Sequence, residues 1–158
     1  MTWRKSTTVQ DRILACLPYL LPLIDGLAFG GFLLRDFPAL QVFFVPILPL
    51  LALYSSIPFF GMIVFFALFL LVVRNESISH FIRFNTMQAI IIDIVIFLCS
   101  LLLPILRPIP GTAFAMQTIA STIFLGVVVA VVYSVVQSLR GVYAEIPAIS
   151  DAVHAQVR

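Results

Sequence analysis

Two aspartates lie deep inside apolar runs, Asp25 in LIDGL and Asp93 in IIDIV. A carboxylate at the centre of a bilayer costs about 2.5–3.5 kcal/mol on an insertion scale, so each needs a partner or a proton. No lysine or arginine stands mid-run to neutralise either one. At 1.5 Å per helical residue, Asp25 is about 18 Å and Asp93 about 14 Å from the near end of its run, so one bundle can hold both at one depth. Such a pair could serve a small-solute or proton carrier. Two aspartates are also what an intramembrane aspartyl protease would need, yet a Gly-Asp motif is absent at both positions.

The polar residues around Asp93 are spaced for one helix face. Asn85, Asp93 and Ser100 fall within about 80° of arc at 100° per residue, and Gln88 widens the stripe. Two readings stay open: a hydrogen-bonded seam against another helix, or the wall of a hydrophilic path shared with Asp25. A second pattern is a ridge of small residues. Thr118, Thr122, Gly126, Ala130 and Ser134 recur every four positions, and Gly26 and Gly30 share that spacing. Small residues let another backbone come close, so the ridge predicts a packing seam, within the chain or against a second one. Gly126, at its centre, is expected where no side chain fits.

Other chemistry is sparse. His80 and His154 are far apart, with no Cys, His or Asp cluster near either, and no metal site is expected. Cys16 and Cys99 each sit in an apolar run and read as packing thiols. Nucleophile-elbow, phosphate-loop and zinc-protease patterns are absent, so no catalytic centre is expected.

The elements that must carry these residues are membrane helices. The chain is 62% hydrophobic and 10% charged, far below the roughly 25% charged of a soluble domain. Its basic residues are scattered singly, which argues against a nucleic-acid surface. The fold class expected is all-α: a polytopic membrane protein with four transmembrane helices and an extra interfacial or re-entrant segment between the first and second. The spans fall at about 13–34, 57–73, 84–106 and 113–138, within a membrane domain of 13–139. The first is too long for a signal-peptide core, holds Asp25 and lacks an A-x-A cleavage pattern, so it reads as uncleaved. No transit peptide is expected ahead of it.

Between Asp36 and Arg74 lie 37 uncharged residues, broken by four prolines and by Tyr54, Ser55 and Ser56. The piece 39–53 is short for a span and holds two prolines, so it is expected not to cross. Charge agrees. Four spans leave Arg4, Lys5, Arg12, Arg74, Arg83, Arg140 and Arg158 on one side and Arg35 and Arg107 on the other. The positive-inside rule then makes 1–12 and 140–158 cytoplasmic segments. Arg74 and Arg83 bracket the 75–83 loop as interfacial anchors, and Ser79 is placed to cap the third span.

The stretch NESISHFIRFNTMQAIIIDI at 75–94, with LACLPYLLPLIDGLAFGG in the first span and PILPLLALYSSIPF before the second, resembles a known family. It is similar to the small, twenty-kilodalton Tic subunit of the chloroplast inner-envelope protein translocon and its cyanobacterial relatives. The resemblance implies four membrane helices, with both termini stromal or cytoplasmic, and a role in moving polypeptides across or into a membrane. It places the chain in a cyanobacterial plasma or thylakoid membrane, alternatively the plastid inner envelope. The expected partners are membrane lipids, other membrane subunits in hetero- or homo-oligomers, and a translocating polypeptide. No cofactor is expected. The alternative function is an accessory or scaffold subunit of a large photosynthetic complex, which would add bound lipid or pigment.

Overall fold

Prolines decide where the first helical stretch tightens. In a computed structural model describing residues 7–157, α1 (Val9–Cys16), α2 (Leu20–Gly26) and α3 (Gly31–Asp36) follow one another with two single 3-10 turns between them, Leu17–Tyr19 and Leu27–Phe29. Pro18 and Pro22 each lack the N–H that a regular helix interior needs, so the first joint winds into 3-10 geometry rather than breaking. Thr8 starts α1 with a capping box: its hydroxyl accepts from Asp11 N, and the Asp11 carboxylate accepts from Thr8 N, each at 3.1 Å. Arg4, Lys5 and Arg158, three residues of the charge count, lie outside the described residues.

The proline-rich stretch divides differently from the expectation. A 3-10 run, Pro38–Ile47, leads into α4 (Leu48–Ser56). The polar residues Ser55 and Ser56 do not break the helix; their hydroxyls bond back to the carbonyls of Ala52 and Leu53. The break comes at 57–59. Pro58 pushes Ile57 into extended backbone (φ −110°, ψ 120°), and Phe59 is left-handed at φ 59°. α5 (Phe60–Ala67) follows and continues as a π-helical stretch, Leu68–Val73. Two uninterrupted helices come next, α6 (His80–Leu106) and α7 (Ala113–Leu139), and then a short α8 (Ser150–Gln156). Ser79 caps α6, its hydroxyl accepting from Ile82 N at 3.4 Å.

The fold is all-α, with no strand among the described residues. Four helical runs are long and apolar enough to cross a membrane by length and composition: Val9–Phe29, Pro38–Ser56, His80–Leu106 and Ala113–Leu139. Phe60–Val73 is apolar but shorter.

Contacts give the register. Gly26 lies against Val127 and Gly30 against Phe124, while Gln117 donates to Asp36, so α1–α3 run antiparallel to α7. Tyr19 meets Asn85, and Asp25 meets Asp93, so α1–α2 run parallel to α6. Val73 packs beside Phe84, and Phe65 and Leu68 join the same cluster, so α5 and its extension run back along α6. Residue 7, the 74–79 loop and the last residues thus share one end of the bundle. Asp36 and the 107–112 turn share the other.

The tail past Arg140 belongs to the fold. Gly141 turns the chain at φ 73°, and Tyr143 packs edge-on against Phe81 and Phe84. Ala144, Val153 and Val157 are buried. α8 thereby covers the end of α6.

Candidate functional site

Inside the bundle, one buried hydrogen-bond network joins three helices. The Tyr19 hydroxyl donates to Asn85 Oδ1 at 2.9 Å, as does the Ser138 hydroxyl from α7. Gln88 Nε2 donates to Tyr19 Oη at 3.0 Å and to Ser134 Oγ at 3.1 Å. All five side chains are fully buried. Asn85 Nδ2 turns back to donate to the Phe81 carbonyl. Polar groups bonded this way hold a seam shut.

One level farther in, the carboxyls of Asp25 and Asp93 lie within hydrogen-bonding reach of each other. Tyr54 donates to Asp25 Oδ1 at 2.6 Å, tying α4 to α2. Its ring also packs edge-on against Phe60 across the break, with centroids 5.7 Å apart. Gly61 makes that approach feasible, because a Cβ there would collide with the Tyr54 ring and hydroxyl.

Beside these groups runs an apolar groove of about 710 Å³. Leu14, Leu17 and Leu21 form one wall, and Tyr54, Val64 and Leu68 the other. Gln10, Asp11, Ser77 and Ser79 stand at its mouth, at the end of the bundle shared by residue 7 and the 74–79 loop. The arrangement offers a sheltered apolar surface bordered by polar groups.

Residues 5–153 match the family described as "Chloroplast import apparatus Tic20-like". The chain belongs to the Tic20 family. It is 48% identical over 150 residues to a Tic20 family protein of Synechocystis, covering 94% of each chain. It is 38% identical over 154 residues to Protein TIC 20-II, chloroplastic, of Arabidopsis thaliana, covering 96% of this chain and 74% of that one. It is 34% identical over 165 residues to the Tic20 family protein Ycf60 of Porphyra purpurea, covering 99% and 80%.

Within this Tic20-family bundle, the polar stripe on α6 separates into parts. Asn85 and Gln88 join the network, and Asp93 meets Asp25 instead. Ser100 joins neither: it is exposed, with its hydroxyl on the Phe97 carbonyl. The small-residue ridge also divides. Ser134 is in the network, and Ala130 is half-buried, whereas Thr118, Thr122 and Gly126 face outward. A Cβ at Gly126 would meet nothing within 4 Å, so the close approach expected there is absent within the chain. The face of α7 that packs inside is Ala120, Phe124, Val127 and Val131. Gly26 and Gly30 do sit at a seam, where an added Cβ would come within 2.8 Å of Val127 and of Phe124.

Of the two expected interfacial arginines, Arg74 is exposed at the end of the π-helical stretch. Arg83 is turned inward, 8% exposed, and its Nε donates to the Val73 carbonyl at 2.9 Å. Its role is to pin the end of that stretch to α6. His80 contacts Tyr143 Oη and the Val157 carbonyl, and His154 contacts Glu145, so both histidines serve the tail.

Three contributors escaped the sequence reading. Tyr19 carried a weak signal, as a lone hydroxyl between two prolines in an apolar run. Ser138 lies one turn beyond Ser134 and extends the ridge at its own spacing. Tyr54 read as part of a chain break, although it is the one tyrosine in the uncharged stretch.

Proposed function

We propose that this chain is a non-enzymatic integral membrane subunit of an assembly that moves polypeptides across or into a membrane. The groove is its surface for an apolar segment in transit. The observation that carries the reading is the groove's second wall. That wall is continuous with Pro38–Ser56, an apolar run with none of its residues buried. A helical run so weakly packed can yield sideways to a guest. Membership of the Tic20 family supports the same reading.

The proposed orientation puts the N-terminal segment, the 75–83 loop and the tail on the cytoplasmic or stromal face. The shared end of the bundle and the surplus of basic residues there support it. In this orientation, 38–73 crosses once. Asp36 is level with Gln117 near the far end, Phe44 with Phe124, Tyr54 with Asp25, and Val73 with Phe84. That steady descent supports one crossing in two parts, with 39–53 not crossing alone. Broken spans with irregular backbone at mid-depth are tolerated where they face protein or a cavity. A cyanobacterial plasma or thylakoid membrane is the proposed location, supported by the Synechocystis relative. The scaffold reading is favoured by one feature, the outward ridge Thr118–Thr122–Gly126.

Photo-crosslinking separates the two. A photoreactive residue replaces Leu17 or Val64 in the groove, or Phe114 on the outer face, in membranes carrying a precursor arrested in transit. The expected result is adducts to the precursor from the two groove positions and none from Phe114. Adducts to resident membrane subunits alone would replace this reading with the scaffold.

A further inference from the structure

Segment 38–56 is tied to the bundle by few side chains. Among the described residues the ties are the Phe44–Phe124 ring contact, the Gln41 amide on the Leu34 carbonyl, and Tyr54 on Asp25. The last is the tie beside the groove and beside the break at 57–59. Behind Asp25 stands Asp93, 7% exposed, with its Oδ1 unpartnered among the described residues.

Donor accounting constrains this trio. The Tyr54 hydroxyl commits its proton to Asp25 Oδ1. An ionised carboxylate is an acceptor only, so two of them have no hydrogen to share. Like charges at contact distance also repel, and they do so strongly where little water screens them. Asp25 and Asp93 therefore stay in contact only while the pair holds a proton of its own. Among the described residues, no charged side chain from a neighbouring element is recorded against the pair to replace it. α7 presents Val127 beside Gly26, and α5 presents Phe60 and Gly61 beside Tyr54. The titratable groups facing the pair are each other, from α2 and α6, and Tyr54 from α4.

We infer that Asp25 and Asp93 form a proton-binding site that latches the broken segment 38–73 over the groove through Tyr54. With the proton in place, Tyr54, Asp25 and Asp93 make one hydrogen-bonded line from α4 to α6, and the groove wall is fixed. Without it, the two carboxylates part and Asp25 turns toward the groove. Tyr54 leaves with it, and the segment swings about 57–59, where the helix is already interrupted. The ligand is a proton, and the response is a change in the width of the groove. The latch acts whatever occupies the groove, so its test stands apart from that of the transport reading.

The test uses the full chain in lipid nanodiscs, with Cys16 and Cys99 replaced by alanine. Spin labels sit at Phe59→Cys, beside the break, and at Leu98→Cys on the outer face of α6. The label-to-label distance is read as pH rises from acid to alkaline, and infrared spectra follow the protonated-carboxyl C=O band on the same samples. In the parent, the distance lengthens as that band disappears. Asp93→Asn, whose amide donates to Asp25 without titrating, lacks the pair's share of the band, which is read as the difference from the parent because the other carboxyls also protonate in acid, and keeps the short distance at every pH. Asp25→Asn does the same from the other side, which guards against misfolding of either variant. Tyr54→Phe keeps the band at acid pH but shows the long distance throughout. A parent distance that ignores pH, or a pH response retained in both asparagine variants, overturns the latch.

Discussion

Asn85 is the pivot of the buried seam, because its one oxygen accepts from both Tyr19 and Ser138. Replacing it by leucine keeps the volume but strands two hydroxyls, at about 1–3 kcal/mol each before they find new partners. Ser138→Ala removes a single donor, and interhelical hydrogen bonds in membranes average about 0.6 kcal/mol. The expected order of destabilisation is Asn85→Leu well above Ser138→Ala, read by SDS-titration unfolding of the reconstituted protein. Similar values for the two would mean that Asn85 is not the hub. The seam half of this site was legible from residue spacing, since Asn85 and Gln88 share a face at helical period. Ser100 shares the arc and yet lies outside. Arc alone selects a face only where another helix covers it, and the outer part of α6, from Phe97 on, is mostly uncovered within this chain.

Between elements, glycines divide by what stands opposite them. Gly26 and Gly30 meet Val127 and Phe124 so closely that an added Cβ would come within 2.8 Å. Gly26→Leu is thus expected to overpack the α2–α7 seam, costing about 1–3 kcal/mol or more as α7 is pushed aside. Gly126→Leu should leave the isolated chain unchanged, and any loss would appear only in a larger complex recovered from mild detergent. Unfolding midpoints check the first, and native gel migration the second. If Gly126→Leu destabilised the isolated chain as much as Gly26→Leu, the assignment of faces on α7 would be wrong. Gly61 makes a third case, because its missing side chain leaves room for the Tyr54 ring. Gly61→Ala should displace Tyr54 from Asp25 and mimic Tyr54→Phe in the spin-label distance, though both carboxyls are intact. The long helices α6 and α7 were readable because their apolar runs are continuous. The stretch 38–73 was not, because prolines permit 3-10, α and bent backbone alike, and packing against α2 and α6 chooses among them.

At the scale of the whole molecule, the tail changes what an end of the bundle is. Tyr143, Ile146, Val153 and Val157 are apolar residues in a segment that charge counting marks as a cytoplasmic tail, and each packs in an apolar cluster of the bundle. Charge patterning reads sides of a membrane, but it is blind to a segment folding back along a helix end. The ordering of ends nevertheless makes an expectation about topology. Ser77 lies in the loop at one end, and Ile109, 51% exposed, lies in the turn at the other. Phe37, 58% exposed, precedes the proline-rich stretch and belongs with Ile109 if 38–73 crosses once. Single cysteines at these three positions, in the cysteine-free background, are treated with a membrane-impermeant maleimide in sealed right-side-out vesicles. Ile109→Cys and Phe37→Cys should react at once, and Ser77→Cys only after the membrane is opened, because the proposed orientation puts the loop and its basic residues on the inner side. If Phe37→Cys instead behaved like Ser77→Cys, 38–73 would have both ends on one side. The descent past Phe124 and Asp25 would then be a re-entrant dip rather than a crossing.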